Sequence, residues 1–146
     1  MRICVNLYPV LMSDTQLTEL ARSQMPMTAL LGLEVESGGP DGVVATGEWR
    51  PEYCTAGGMI HGGYLMAQAD SVGAMCAFLN LAEGATTSTI ESKTNFIRPV
   101  TSGTITFSAT PVHVGRSLIV VQTDATGDAG ALVARTTQTQ AVIRGA

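Results

Sequence analysis

Residues 61–81 read HGGYLMAQADSVGAMCAFLNL. Between Gly62 and Leu79 the strongly polar side chains are Gln68, Asp70 and Ser71, and nearly all the rest is apolar or small. A segment of this length that is apolar all round predicts a buried helix, entered through the His61-Gly62-Gly63 run. The Gly and Ala content and the carboxylate argue against a membrane span. Asp70 is the only formal charge between Glu52 and Glu83. A carboxylate in such a helix is costly unless it has partners or a task.

Working outward from this helix, the N-terminal side carries a capping box from Ser13 to Gln16, which predicts a short helix over about 14–24. Pro26 begins a second turn, PMTALLG. LEVES and VVATGEWR read as two strands joined by the turn GGPDG, with Pro51 after the second. PEYCTAGGMI is a glycine-bearing loop. Beyond the helix, EGA at 83–85 breaks the pattern. TTSTIESKTNFIRPV, GTITFSATPVHVG, RSLIVVQTDATGD and ALVARTTQTQAVIRG then read as four further strands, rich in Thr, Val and Ile. The order is helix, two strands, long helix, four strands. That is an α+β chain in which a six-stranded antiparallel sheet wraps one central helix, the hotdog architecture, preceded by a short N-terminal helix. One domain is expected over 13–146. Residues 1–12 are expected to be an extension, because Met12-Ser13-Asp14 looks like a natural start; an ordered extra strand is the alternative.

Composition bounds the function. The chain has 146 residues, 45% hydrophobic, 14% charged and 5% aromatic, which suits one domain with part of its surface covered by another subunit. Net charge is −4 with no Lys/Arg run, which speaks against a nucleic-acid partner. Cys4, Cys54 and Cys76 are an odd count without CxxC spacing. No zinc site, disulfide framework or other cofactor is expected, and a reducing, cytoplasmic setting fits.

HGGYLMAQAD, KTNFIRPV and VHVGRSLIVVQTDATG, in this order and spacing, resemble the PaaI-type (phenylacetyl-CoA type) branch of hotdog thioesterases, from about Leu30 onward. The resemblance implies hydrolysis of an acyl-CoA thioester at a homodimer interface, with a dimer of dimers as the expected larger assembly. It implies that Asp70 acts as general base or nucleophile and that the Gly62 N–H points at the thioester carbonyl. Thr89 falls where a hydroxyl helps place water. Arg98 and the Gly115-Arg116 pair fall where CoA phosphates are held. Many relatives carry Asn or Gln six residues before the histidine, contributing to carbonyl polarisation or water placement. Thr55 stands there in this chain.

The same residues have a physical reading. Unsatisfied N–H groups at a helix N-terminus stabilise the negative charge that builds on a carbonyl under attack. Glycines at 62 and 63 allow close approach of substrate to backbone. His61 reads as a cap and positioning residue, since no Ser or Cys nucleophile is placed for it to activate. Asp70 lies nine residues past His61, about two and a half turns. That is too far for it to work with Gly62 of its own chain, but it suits a site where Asp70 of one chain faces Gly62 of another. Gln68 and Ser71 flank Asp70. Gln68 either lines an acyl pocket or satisfies a backbone group, and Ser71 either contacts substrate or ties down the carboxylate. A non-catalytic acyl-CoA-binding module acting through a protein partner is the alternative function; a carboxylate near an uncharged thioester gives such a binder nothing.

Overall fold

A computed structural model describes residues 14–144. Helix α1 (Asp14–Gln24) and the single turn α2 (Pro26–Leu30) precede β1 (Glu34–Gly39) and β2 (Gly42–Glu48). The central helix α3 (Gly62–Phe78) follows, then β3 (Ala85–Phe96), β4 (Thr104–Val114), β5 (Leu118–Thr126) and β6 (Leu132–Arg144). The expected capping residue Ser13, the 1–12 segment and Cys4 lie outside the described residues.

The six strands form one sheet in the order β1-β2-β4-β5-β6-β3, with every neighbouring pair antiparallel. This is the hotdog arrangement. The consecutive strands β4, β5 and β6 pair as hairpins. β3 comes before them in the chain yet pairs with β6 at the far edge, so the segment Ile97–Gly103 carries the chain across the sheet. Its tie points are Ile97 and Arg98 N–H donating to Val133 O, and Ile60 N–H donating to Val100 O. The register of β3 on β6 shifts between Thr89 and Glu91, a bulge that leaves Ile90 exposed on the edge.

The core lies between the sheet and α3. Alternate residues of the strands point inward: Val43 and Ala45 on β2, Ile105, Phe107 and Ala109 on β4, Ile119 and Val121 on β5. They meet Leu65, Ala69, Val72 and Cys76 of α3. Full burial of each large side chain contributes roughly 1.5–3 kcal/mol. α1 closes one end by burying Leu17 and Ala21 beside Val35, and Thr18 Oγ1 accepts the Val35 N–H at 2.8 Å.

α3 stops at Phe78, short of the expected end near Leu81. Asn80 Nδ2 donates to Cys76 O and to Pro40 O, both at 2.9 Å, so it caps a loose carbonyl and ties the helix end to the β1–β2 turn. The helix is also not enclosed on every side. Met66, Asp70, Ala74 and Phe78, four residues apart, form a partly exposed stripe.

Candidate active site

His61 caps α3. Its Nδ1 accepts the Gly63 N–H at 2.8 Å, which places the proton of the neutral ring on Nε2. His61 O takes the N–H groups of Tyr64 and Leu65. Among the described residues nothing accepts the Gly62 N–H. It is the loose donor of the first turn, at the positive end of the helix dipole.

Gly62 lines an open cleft of about 470 Å³ together with Thr55, Leu65, Phe96 and Arg98. A Cβ on Gly62 would stand 2.9 Å from the Phe96 ring, so only glycine lets the aromatic ring rest on the helix terminus. Thr55 bonds within its own loop: its N–H and its hydroxyl both donate to Met59 O. Arg98 Nη1 donates to Leu132 O at 2.8 Å and the side chain is exposed.

Asp70 lies eight residues along α3 from Gly62, about 12 Å at 1.5 Å per residue. Thr89 Oγ1 on β3 donates to Asp70 Oδ1 at 3.0 Å. Gln138 Nε2 on β6 donates to the same Oδ1 and to Asp70 O, both at 3.2 Å. Gln140 Nε2 donates to Thr89 Oγ1 at 2.7 Å, which directs the hydroxyl proton to Asp70. Both side-chain bonds thus fall on Oδ1, and among the described residues Oδ2 has no partner. The carboxylate sits in the open stripe of α3 with one oxygen held and one presented.

The remaining expected residues are scattered. Gln68 is fully buried; its Nε2 donates to Leu31 O and Tyr64 Oη, each at 3.1 Å, while its Oε1 is buried without a hydrogen-bond partner. Ser71 donates to Ala67 O at 2.8 Å, one turn back, rather than to Asp70. Gly63 is exposed but its N–H is occupied by His61. Arg116 lines a separate cleft of about 210 Å³ with Asn80, Leu81 and Arg144, at the end of α3 opposite Arg98. Within one chain the structure therefore joins Gly62, Thr55 and Arg98 at one end of the helix, and Asp70 with Thr89 further along it.

Sequence reasoning missed Gln138, Gln140 and Phe96. A signal for the glutamines existed: in TTQTQA the residues 136, 138 and 140 share one face of a strand, and Thr136, Gln138 and Gln140 are all buried. Burial also acts on two other ionisable groups. It pushes the Cys76 thiol up to about 11 and raises the Tyr64 hydroxyl, so neither is a ready nucleophile. A further cleft, apolar and of about 250 Å³, starts one turn beyond Asp70, between Ala74 and Phe78 of α3, Leu20 of α1, Met25 just after it, and Thr87 of β3. Among the described residues no cluster of His, Cys, Asp and Glu is arranged to hold a metal ion, and no helix is long and apolar enough to cross a membrane.

The model of the Thioesterase superfamily matches residues 57–134, over half of the chain and including Gly62, Asp70 and Thr89. The chain belongs to this superfamily. Its fold is shared with a thioesterase from Haemophilus influenzae, at 30% identity and a TM-score of 0.84, over 91% of this chain and 92% of the other. A thioesterase-family protein from Silicibacter pomeroyi matches at 26% identity and a TM-score of 0.81, over 91% and 100% of the two chains. A thioesterase from Pseudomonas aeruginosa, solved with a glutamine replaced by alanine, matches at 25% identity and a TM-score of 0.80, over 86% and 93%. A superfamily fold with a helix-borne carboxylate and a loose helix N-terminus directs attention to hydrolysis of a thioester.

Proposed function

We propose that this member of the thioesterase superfamily hydrolyses acyl-CoA to the free acid and CoA, as a PaaI-type enzyme whose active sites are shared between two chains. The observation that carries the reading is the one-sided hydrogen bonding of Asp70: Oδ1 is anchored and Oδ2 is unpartnered in an open stripe. An oxygen so placed is free to meet water or substrate.

In this reading Asp70 Oδ2 either takes a proton from water, which attacks the thioester carbon, or attacks that carbon itself to give a mixed anhydride that water then opens. In both routes negative charge gathers on the carbonyl oxygen and the Gly62 N–H stabilises it. The C–S bond then breaks and the CoA sulfur leaves with a proton. Thr55 stands beside the carbonyl site, His61 keeps the helix terminus in shape and Thr89 orients the carboxylate. The 12 Å within a chain is bridged by a partner: β3 is a sheet edge with Ile90 and Phe96 exposed and Ile97 exposed just beyond it, and pairing such an edge about a two-fold axis sets Asp70 of one chain toward Gly62 of the other. Arg98 and Arg116, at opposite ends of α3, are then phosphate contacts offered from different chains. The cleft beyond Asp70 receives the acyl group. A dry cavity of roughly 150 Å³ holds a benzene ring, so about 250 Å³ suits an aryl or short to medium acyl chain.

The test is thiol release from acetyl-, hexanoyl- and benzoyl-CoA by wild type and Asp70→Asn, each with a thermal melt. A mutant that melts normally and loses about 10²-fold or more in rate supports the assignment. A wild type that binds the panel without turnover would instead favour an acyl-CoA-binding module. Oxygen-18 retained in Asp70 after a single turnover in labelled water identifies the nucleophilic route.

A further inference from the structure

We infer that Gln138 is a positioning residue that fixes the plane of the Asp70 carboxylate and keeps Oδ2 turned toward substrate. The inference rests on the catalytic reading of Asp70. Rotation of a carboxylate about χ2 is soft and roughly two-fold. A single bond from Thr89 would leave that rotation loose. Gln138 Nε2 adds a second donor on the same oxygen and, through its contact with Asp70 O, holds side chain and backbone together.

The stability ledger around Gln138 points to function. Its side chain is fully buried, and its Oε1 has no hydrogen-bond partner. A buried unpaired carbonyl is destabilising, since it has given up its hydrogen bonds to water and gained none. The amide also needs a glycine in the middle of α3: a Cβ at Gly73 would lie 2.1 Å from Oε1 and 2.6 Å from Cδ. Glycine is also a poorer helix residue than alanine at such a position. An apolar residue at 138 would remove the orphan carbonyl and admit alanine at 73, losing in exchange only the bonds to Asp70. What the costly pair supplies is the donor aimed at Asp70, and departures from the stable choice collect at working sites. Gln140 extends the device: its Nε2 donates to the Thr89 oxygen, and its Oε1 lies 3.1 Å from Thr87 Oγ1, whose hydroxyl also reaches Ala141 O at 2.9 Å.

The test is Gln138→Met, which keeps the volume and removes both the donor and the orphan carbonyl. With whichever of acetyl-, hexanoyl- or benzoyl-CoA the wild type turns over fastest, kcat should fall roughly 10- to 100-fold, the scale of a misplaced catalytic group. KM should change little, and so should the melting temperature, because the lost bond to Asp70 and the removed orphan carbonyl offset each other. In the Asp70→Asn background the same substitution should cost almost nothing, because its effect passes through the carboxylate. Full activity of Gln138→Met, or an equal loss with and without Asp70, overturns the positioning role while leaving Asp70 catalytic. An Asp70→Asn variant as active as wild type, or a wild type inert on the whole panel, overturns the function and this inference together.

Discussion

Replacing Gly73 by alanine is the sharpest probe of how α3 sits on the sheet. In an open helix the change stabilises by about 0.8–1 kcal/mol. Here the new Cβ would stand 2.1 Å from Gln138 Oε1, 2.6 Å from Cδ and 3.1 Å from Nε2. A side-chain amide can usually swing clear of such a contact, but Gln138 is fully enclosed and tied to Asp70. Displacing it loses a bond to a charged group, about 1.5–3 kcal/mol, and adds overpacking of about 1–3 kcal/mol. Set against the helix gain, the net is a destabilisation of about 1.5–5 kcal/mol. In a Gln138→Ala background the obstruction is gone and the same substitution should stabilise by about 1 kcal/mol. The sign therefore reverses between backgrounds. Urea unfolding of the four proteins at one fixed concentration reads this directly. If Gly73→Ala stabilises the otherwise unchanged protein by the helix-propensity amount, the close packing of α3 on β6 is wrong.

Two further outcomes follow from the site. Gly62→Ala and Gly62→Pro push on Phe96 in the same way, but only proline removes the N–H. The His61 backbone, at φ −66° and ψ 135°, already has the conformation a residue before proline adopts, and proline is well tolerated in the first turn. Thiol release should therefore fall roughly 10²- to 10³-fold more for proline than for alanine, at similar melting temperatures; equal losses would remove Gly62 from the oxyanion role. Cys76 gives a pH dependence. Below pH 9 its thiol is neutral in both states; as pH rises from 9.0 toward about 11 the unfolded chain ionises and the folded chain does not, so stability falls across that window. Tyr64 adds to the fall above about pH 10, and Cys76→Ala should flatten the curve below that point; an unchanged slope would mean the thiol is not buried as described.

Much of this was legible in the sequence because it depends on local chemistry. The apolar run after His61-Gly62-Gly63 gives the helix and its lone carboxylate, and the glycine-bounded Thr/Val/Ile segments give the strands. What depends on distant pairing was not legible. The β3 strand leaves chain order and joins β6, and neither segment states its partner. The inward glutamines at 138 and 140 alternate visibly, yet their target on α3 emerges only when helix and sheet are packed. Gly73 reads as a weak spot in a helix until Gln138 is seen beneath it. Gln68 misleads for the reverse reason: it is two residues from Asp70, and that step turns it about 200° around the helix, into the core.

The central claim is that Asp70 of one chain and Gly62 of its partner form one site. Mixing Asp70→Asn and Gly62→Pro chains, unfolded together and refolded in equal amounts, tests it most directly. In a mixed dimer with shared sites, one site carries both defects and the other carries neither, so random assembly should restore about a quarter of wild-type activity from two nearly inactive parents. If each site lies within one chain, every site in the mixture keeps one defect, and activity no higher than that of the parents would contradict the account.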